Sequence, residues 1–113
     1  MTIDDLKAYG ADTAEGLRRC MNNESFYLRL VKMIPGDPNF QKLYDALDVG
    51  DLGIAFEGAH ALKGSTGNLS LTPIFAPVSE ITELLRARTQ TDYAALITQI
   101  RQGRDELAHI CEG

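Results

Sequence analysis

The chain has 113 residues, of which 44% are hydrophobic and 24% are charged, and it carries a formal net charge of −5 at pH 7. These figures are typical of one ordinary globular domain, which we expect to span residues 1–113, and they leave no room for a large cofactor enzyme. Sixteen acidic residues against eleven basic ones would repel a phosphate backbone over most of the surface, so the composition argues against nucleic acid as a partner.

The cysteines and the N-terminus bear on the cellular compartment. Cys20 and Cys111 lie at opposite ends of the chain. Two thiols do not form a disulfide framework, so we expect a reducing compartment and the role of small buried apolar residues for both. Residues 1–9 lack the positively charged start and apolar stretch of a signal peptide, and no apolar run is long enough to span a bilayer. The sequence therefore predicts a soluble cytoplasmic protein without a membrane partner.

The first half of the chain predicts three helices. Residues 11–21 have the apolar spacing of a short helix, and Asn22-Asn23 can cap a stronger one that ends at Pro35-Gly36. Asp37-Pro38 has the form of an N-cap followed by proline at the first helical position, which opens the third helix. The apolar residues at helical spacing in these segments are Ala14, Leu17, Cys20, Met21, Phe26, Tyr27, Leu30, Val31, Met33, Ile34, Phe40, Leu43, Tyr44 and Leu47.

The second half predicts three longer helices, over residues 52–68, 72–85 and 92–111. Pro77 either distorts the first turn of the middle one or marks its start, and Gly103 interrupts the apolar face of the last. No segment shows the alternation of apolar and polar residues that is typical of a β-strand. Because short connections force neighbouring helices to run antiparallel, we predict an all-α, up-and-down antiparallel four-helix bundle with a short additional N-terminal helix.

His60 lies on the wrong side of its helix for a core residue. At about 100° per residue, it points roughly 130° away from the centre of the apolar stripe. We therefore expect its imidazole to face solvent, which argues against the common role of a lone histidine as a hydrogen-bonded core residue. The stripe consists of Leu52, Ala55, Ala59, Leu62, Thr66 and Leu69.

The residues around His60 suit the close approach of a partner. Three glycines share its face, although each costs on the order of 1 kcal/mol relative to alanine in a helix, and without Cβ atoms they leave a shallow surface that another backbone can reach. Lys63, one turn on, places a positive charge where an oxyanion attached to His60 would lie. We expect a partner to dock on Gly53, Phe56, Glu57, Gly64 and Gly67.

This stretch resembles the phosphoacceptor motif of histidine-containing phosphotransfer (HPt) domains. The motif has histidine, any residue, an aliphatic, lysine and glycine, followed by a second glycine, an aliphatic residue and usually another glycine. Ser70 stands where the family usually has that last glycine, a departure that concerns the turn more than the chemistry. Tyr27 and the helix order also resemble the family, so the likeness covers nearly the whole chain. The residues that match the motif are His60, Leu62, Lys63, Gly64, Gly67 and Leu69.

The resemblance implies a four-helix bundle whose histidine exchanges a phosphoryl group, through Nε2, with an aspartate of a response-regulator receiver domain. His60 would be the phosphoacceptor and Lys63 would stabilise charge on the phosphoryl oxygens. The implied partners are receiver domains and a hybrid histidine kinase, and the receiver would supply Mg²⁺, so we expect no cofactor or metal of the chain's own. Family members often orient the ring with a side chain of the next helix. The corresponding position here is Thr82, which we do not include among the site residues.

The chain lacks a glycine-rich nucleotide loop, so we expect a phosphocarrier rather than a kinase or other enzyme.

Two alternatives stay open beside phosphotransfer. A non-catalytic helical module that binds or inhibits a kinase or receiver would keep the bundle, but it has no need of both His60 and Lys63. A metal or haem bundle would have to use His60 and His109, which lie in different helices without a Glu-x-x-His pair.

Overall fold

The computed structural model describes residues 1–113 and contains seven α-helices and no strand. The predicted all-α class is therefore confirmed. None of the helices is both long enough and apolar enough to cross a membrane. In chain order the helices are α1 (Ile3–Tyr9), α2 (Thr13–Arg19), α3 (Glu24–Met33), α4 (Asn39–Asp48), α5 (Leu52–Asn68), α6 (Thr72–Arg86) and α7 (Ala94–Glu112).

The last four helices form the up-and-down bundle. Helix α5 packs between α4 and α6, and α7 packs on α6. Because the connections are short, successive helices run antiparallel. Helix α7 returns to α4, where the Arg101 guanidinium lies 4.0 Å from the ring centroid of Tyr44. The largest fully buried side chains are Leu6, Tyr27, Val31, Phe40, Leu43, Leu62, Leu71, Ile74, Ile81, Leu85, Ile100 and Leu107.

Three helices precede the bundle, where the fold prediction gave one short additional helix. Of these, α1 was not predicted, although its start carries a recognisable signal. The Thr2 hydroxyl accepts a hydrogen bond from the Asp5 amide (3.1 Å), and the Asp5 carboxylate accepts one from the Thr2 amide (2.9 Å), which makes a capping box. Gly10 ends the helix with a φ of 115°, in the left-handed region that glycine adopts without penalty. The N-terminal segment thus holds three helices, and α2 is shorter than the predicted span 11–21.

The N-terminal segment covers the C-terminal end of α5. The amide of Asp12 donates to the Ser70 carbonyl (3.0 Å), Nη1 of Arg19 to the Gly67 carbonyl (2.8 Å) and the Tyr27 hydroxyl to the Leu69 carbonyl (2.9 Å). The last carbonyls of a helix have no partner within the helix and need one from elsewhere. Helices α2 and α3 therefore hold the end of the helix that carries His60.

Ser70 sits in the turn between α5 and α6 with a φ of 55°. This left-handed conformation costs an ordinary residue roughly 1–2 kcal/mol and costs glycine nothing. Ser70 thus lies in the turn, as expected, and has a backbone cost that glycine would avoid; that the departure leaves the chemistry unaffected stays a prediction.

Two further predictions concerned residues that disturb helices. Pro77 lies inside α6 and is buried, while Pro73 occupies the first turn, so Pro77 does not mark the helix start. Gly103 does not break α7. Its missing Cβ would lie only 3.0 Å from the Pro73 carbonyl oxygen, so glycine permits the close approach of α6 and α7.

Candidate functional site

Helix α5 buries one face and exposes His60 on another. Ala55, Ala59, Leu62 and Thr66 are buried, whereas His60 is exposed in the middle of the helix. The predicted outward direction of the imidazole is confirmed. An accessible imidazole on a regular helix can meet an incoming partner without unfolding any element.

Gly58, which the sequence reading did not single out, explains how α5 lies so close to α4. A Cβ there would be 3.1 Å from the Asn39 carbonyl oxygen and 3.2 Å from the Leu43 amide nitrogen. These distances are tighter than normal packing, and the neighbouring atoms are backbone, which cannot rotate away. Gly58 thus helps to set the position of the helix that carries His60.

The imidazole of His60 stacks on Phe56. Their ring centroids are 5.3 Å apart and the planes differ by 18°. The guanidinium carbons of Arg86 and Arg88 lie 5.0 and 5.4 Å from the Phe56 centroid, within cation–π distance. The sequence reading missed both arginines, because they come from the end of α6 and the turn after it, and no local pattern connects them to α5.

Lys63 is half-buried and forms an ion pair with Glu83 of α6. Its Nζ lies 3.1 Å from Oε1 of Glu83, whose Oε2 accepts from Nε of Arg86 at 3.2 Å. Hydrogen bonds from Lys63 and then from Arg86 lower the pKa of Glu83 below its usual value. The position of Lys63 one turn from His60 was foreseen from the sequence, but its partner was not.

The three glycines expected to share the docking surface differ in their surroundings. A Cβ on Gly64 would meet nothing within 4 Å, and one on Gly53 would make only ordinary contacts. A Cβ on Gly67 would lie 2.7 Å from Cε1 of Phe75, so this glycine accommodates a ring of α6. Gly67 therefore has a packing role within the chain, while the docking role of all three remains a prediction.

Glu57 and Thr82 occupy different environments. Glu57 is exposed, and its carboxylate lies 3.9 Å from Nζ of Lys42 on α4, on the side of α5 away from α6. Thr82 is buried, and its hydroxyl donates to the Val78 carbonyl at 2.6 Å. The Thr82 hydroxyl makes no hydrogen bond to the imidazole, whose orientation is restrained by stacking on Phe56.

A shallow groove runs beside His60 between α5, the end of α2 and α6. Lys63 and Arg86 line it together with Arg19, and Gly64 and Gly67 form part of its floor. Three cations therefore lie beside the exposed imidazole, in a groove that Asp12 also lines. Arg19 is paired with Glu15, and Lys63 and Arg86 are paired with Glu83. The arrangement can support a nucleophilic nitrogen and stabilise negative oxygens bound to it.

The comparisons with known proteins agree with this geometry. The family model of the Hpt domain matches residues 36–110, which include α4, α5, α6 and most of α7. No curated protein and no solved structure matches the chain. The chain belongs to the Hpt domain family, whose members are phosphocarriers of two-component signalling rather than kinases.

Proposed function

We propose that this protein is a phosphorelay intermediate, in which His60 accepts a phosphoryl group from a receiver-domain phospho-aspartate and passes it to a response-regulator aspartate. One observation carries the proposal: an exposed imidazole stands midway along α5 with Lys63 one turn away, in a chain of the Hpt domain family. A receiver domain and a hybrid histidine kinase are the proposed partners. The proposed setting is the cytoplasm, without nucleic acid or membrane.

The transfer exchanges one bond to phosphorus for another. The lone pair of Nε2 on the neutral imidazole attacks phosphorus, the P–O bond to the aspartyl carboxylate breaks, and the carboxylate leaves with the electron pair. The reverse reaction returns the group to an aspartate. Such transfer depends on in-line placement and on stabilisation of the phosphoryl oxygens, and a neutral nucleophile needs no general base.

Each side of the complex has a defined share of this chemistry. The receiver supplies Mg²⁺ and the aspartate, so the chain needs no cofactor or metal of its own. His60 supplies the nucleophile, and Lys63 supplies a charge that approaches the phosphoryl oxygens. The open space over Gly64 and the half-exposed ring of Phe56 support docking of a receiver on this face, with Gly53, Glu57 and Gly67 at its borders.

The experiment compares the two histidines of the chain. A radiolabelled phospho-receiver is incubated with the wild type, with His60→Gln and with His109→Gln, the matched control, since His109 is exposed on α7. We expect label on the wild type and on the control and none on His60→Gln, whose fold should persist because the substituted side chain is exposed.

The opposite outcomes are equally clear. Equal labelling of His60→Gln and the wild type would rule out His60 as the acceptor. Binding of a receiver by a wild-type protein that never becomes labelled would instead favour the non-catalytic interaction module.

A further inference from the structure

One carboxylate pairs with two of the cations that line the groove beside the exposed imidazole. Oε1 of Glu83 is 3.1 Å from Nζ of Lys63, and Oε2 is 3.2 Å from Nε of Arg86. Both carboxylate oxygens of Glu83 therefore accept a hydrogen bond. One donor is Lys63 of α5, and the other is Arg86, which lies one turn further along α6.

Both cations lie near His60. Lys63 lies one turn along α5 from the histidine, and Arg86 lies over Phe56, a ring that Arg88 also approaches and that stacks on the imidazole. Glu83 is thus linked to the surroundings of His60 in two ways, through Lys63 and through Arg86 with Phe56. No other carboxylate forms an ion pair with either cation.

The ion pairs are open enough to exchange partners. The relative solvent exposure of the side chains is 31% for Lys63, 55% for Glu83 and 52% for Arg86. Pairs between partly exposed side chains are weak because water screens them. A phosphoryl group on His60 carries more negative charge than one carboxylate and offers three acceptor oxygens, so it can draw these cations away from Glu83.

We propose that Glu83 is a positioning residue that competes with the phosphoryl group of His60 for Lys63 and Arg86. This inference rests on the proposed function. While the imidazole is unmodified, Glu83 keeps the cations beside it. Once the imidazole is phosphorylated, the carboxylate still attracts them, so the phosphohistidine gains less stabilisation than two free cations would give. The carboxylate therefore keeps the phosphoryl group easier to pass on.

The test measures the equilibrium between phospho-receiver and phosphohistidine for Glu83→Gln and for Glu80→Gln. Glu80 is exposed on the same helix and forms no ion pair, so its substitution removes the same charge without freeing a cation. We expect Glu83→Gln to raise the ratio of phosphorylated to unmodified His60 roughly two- to fivefold, the change that corresponds to a partly exposed ion pair. Glu80→Gln should leave the ratio at the wild-type value.

A second background separates competition for cations from direct repulsion. In a Lys63→Ala/Arg86→Ala protein, Glu83 has no cation left to hold, so adding Glu83→Gln should leave the equilibrium unchanged. Glu83→Ala serves as a second variant in the native background and should shift the equilibrium in the same direction as Glu83→Gln.

The possible failures point to different ideas. An equilibrium for Glu83→Gln equal to that of Glu80→Gln, or lower than that of the wild type, would overturn the inference, and so would an undiminished increase in the double-alanine background. A wild-type protein that takes up no phosphate would overturn the proposed function itself, and the inference with it.

Discussion

The middle of α5 and its C-terminal end carry glycines on the same face, yet the two regions have different surroundings. Around Gly64 the surface is open beside His60. Gly67, by contrast, lies against the ring of Phe75, and its carbonyl accepts a hydrogen bond from Arg19. Three residues along one helix separate a surface that a partner can reach from one that the chain itself fills. Glycines of one motif thus have two different structural roles, an open surface in the middle of the helix and close packing at its end.

The largest effect should come from removing the residue that holds the covered end. Tyr27 is fully buried, and its hydroxyl donates to the Leu69 carbonyl. Truncation of a buried aromatic residue costs roughly 3–5 kcal/mol, so Tyr27→Ala should lower the free energy of unfolding by that amount in urea denaturation. Tyr27→Phe should lose less, about 1–3 kcal/mol, because it only leaves a carbonyl without its donor. A urea midpoint of Tyr27→Ala equal to that of the wild type would mean that contacts of Tyr27 with the end of α5 do not stabilise the fold.

The same residue predicts a loss of stability at alkaline pH. Burial, together with nearby Cys20 and Asp12, raises the pKa of Tyr27 to about 12 from its usual value of 10.0. The folded state retains this proton where the unfolded state has lost it, so the contribution is complete below pH 10 and is lost as pH rises towards 12. Unfolding curves across this range should show a steeper loss for the wild type than for Tyr27→Phe; parallel losses would contradict the assignment to Tyr27.

Lys63→Ala tests the open region. Hydrogen bonds to charged groups contribute about 1.5–3 kcal/mol, which corresponds to a rate loss of roughly 10- to 100-fold if Lys63 contacts the phosphoryl oxygens in the transition state. Single-turnover transfer from a phospho-receiver should slow by that factor, while receiver affinity changes little. An unchanged rate would show that Lys63 serves its ion pair with Glu83 and not the transfer.

A matched pair of substitutions compares the two glycines directly. Gly67→Leu forces a side chain against Phe75, and overpacking costs about 1–3 kcal/mol, offset by up to ~1 kcal/mol of helix propensity. We expect a net loss of stability. A Cβ at Gly64 meets nothing within 4 Å, so we expect Gly64→Leu to leave the fold at least as stable, but a titration should show weaker receiver binding. Unaltered affinity for Gly64→Leu would mean that no partner approaches there.

The smallest effect is expected at the turn after α5. Ser70 has a φ of 55°, so Ser70→Gly removes a conformational penalty of roughly 1–2 kcal/mol but adds freedom to the unfolded chain. We expect thermal denaturation to give a net gain of up to about 1 kcal/mol, with unchanged phosphate uptake. Lower stability would indicate that interactions of the serine side chain outweigh the backbone cost.

The features that sequence reasoning recovered depend on local regularity. The apolar stripe of α5 follows the helical period, so the exposure of His60 and the place of Lys63 on its face could be calculated from residue spacing. Helix α1 was missed even though Thr2 and Asp5 have the spacing of a capping box, because its seven residues hold too few apolar positions for a periodic signal. The capping residues mark the start of this helix, whereas apolar periodicity does not.

The features that sequence reasoning could not recover depend on how helices meet. Lys63 and Glu83 are twenty residues apart, and their pairing requires the register in which α5 packs on α6. The same register places Arg86 over Phe56 and Phe75 against Gly67. Residue spacing along one helix cannot predict these contacts, because the neighbours of a side chain across an interface depend on the rotation and offset of the second helix.

By itself, then, the sequence determined an all-α chain, an exposed histidine midway along its helix, and a motif of lysine and glycines around it. Helical periodicity and glycine's missing Cβ are properties of single residues and their spacing, and they hold before any packing occurs. The tertiary structure alone decided which glycine stays open and which is filled, and which carboxylate restrains the cations beside His60. Those outcomes arise from close packing between α5, α6 and the N-terminal helices, where only a folded arrangement brings distant residues within contact distance.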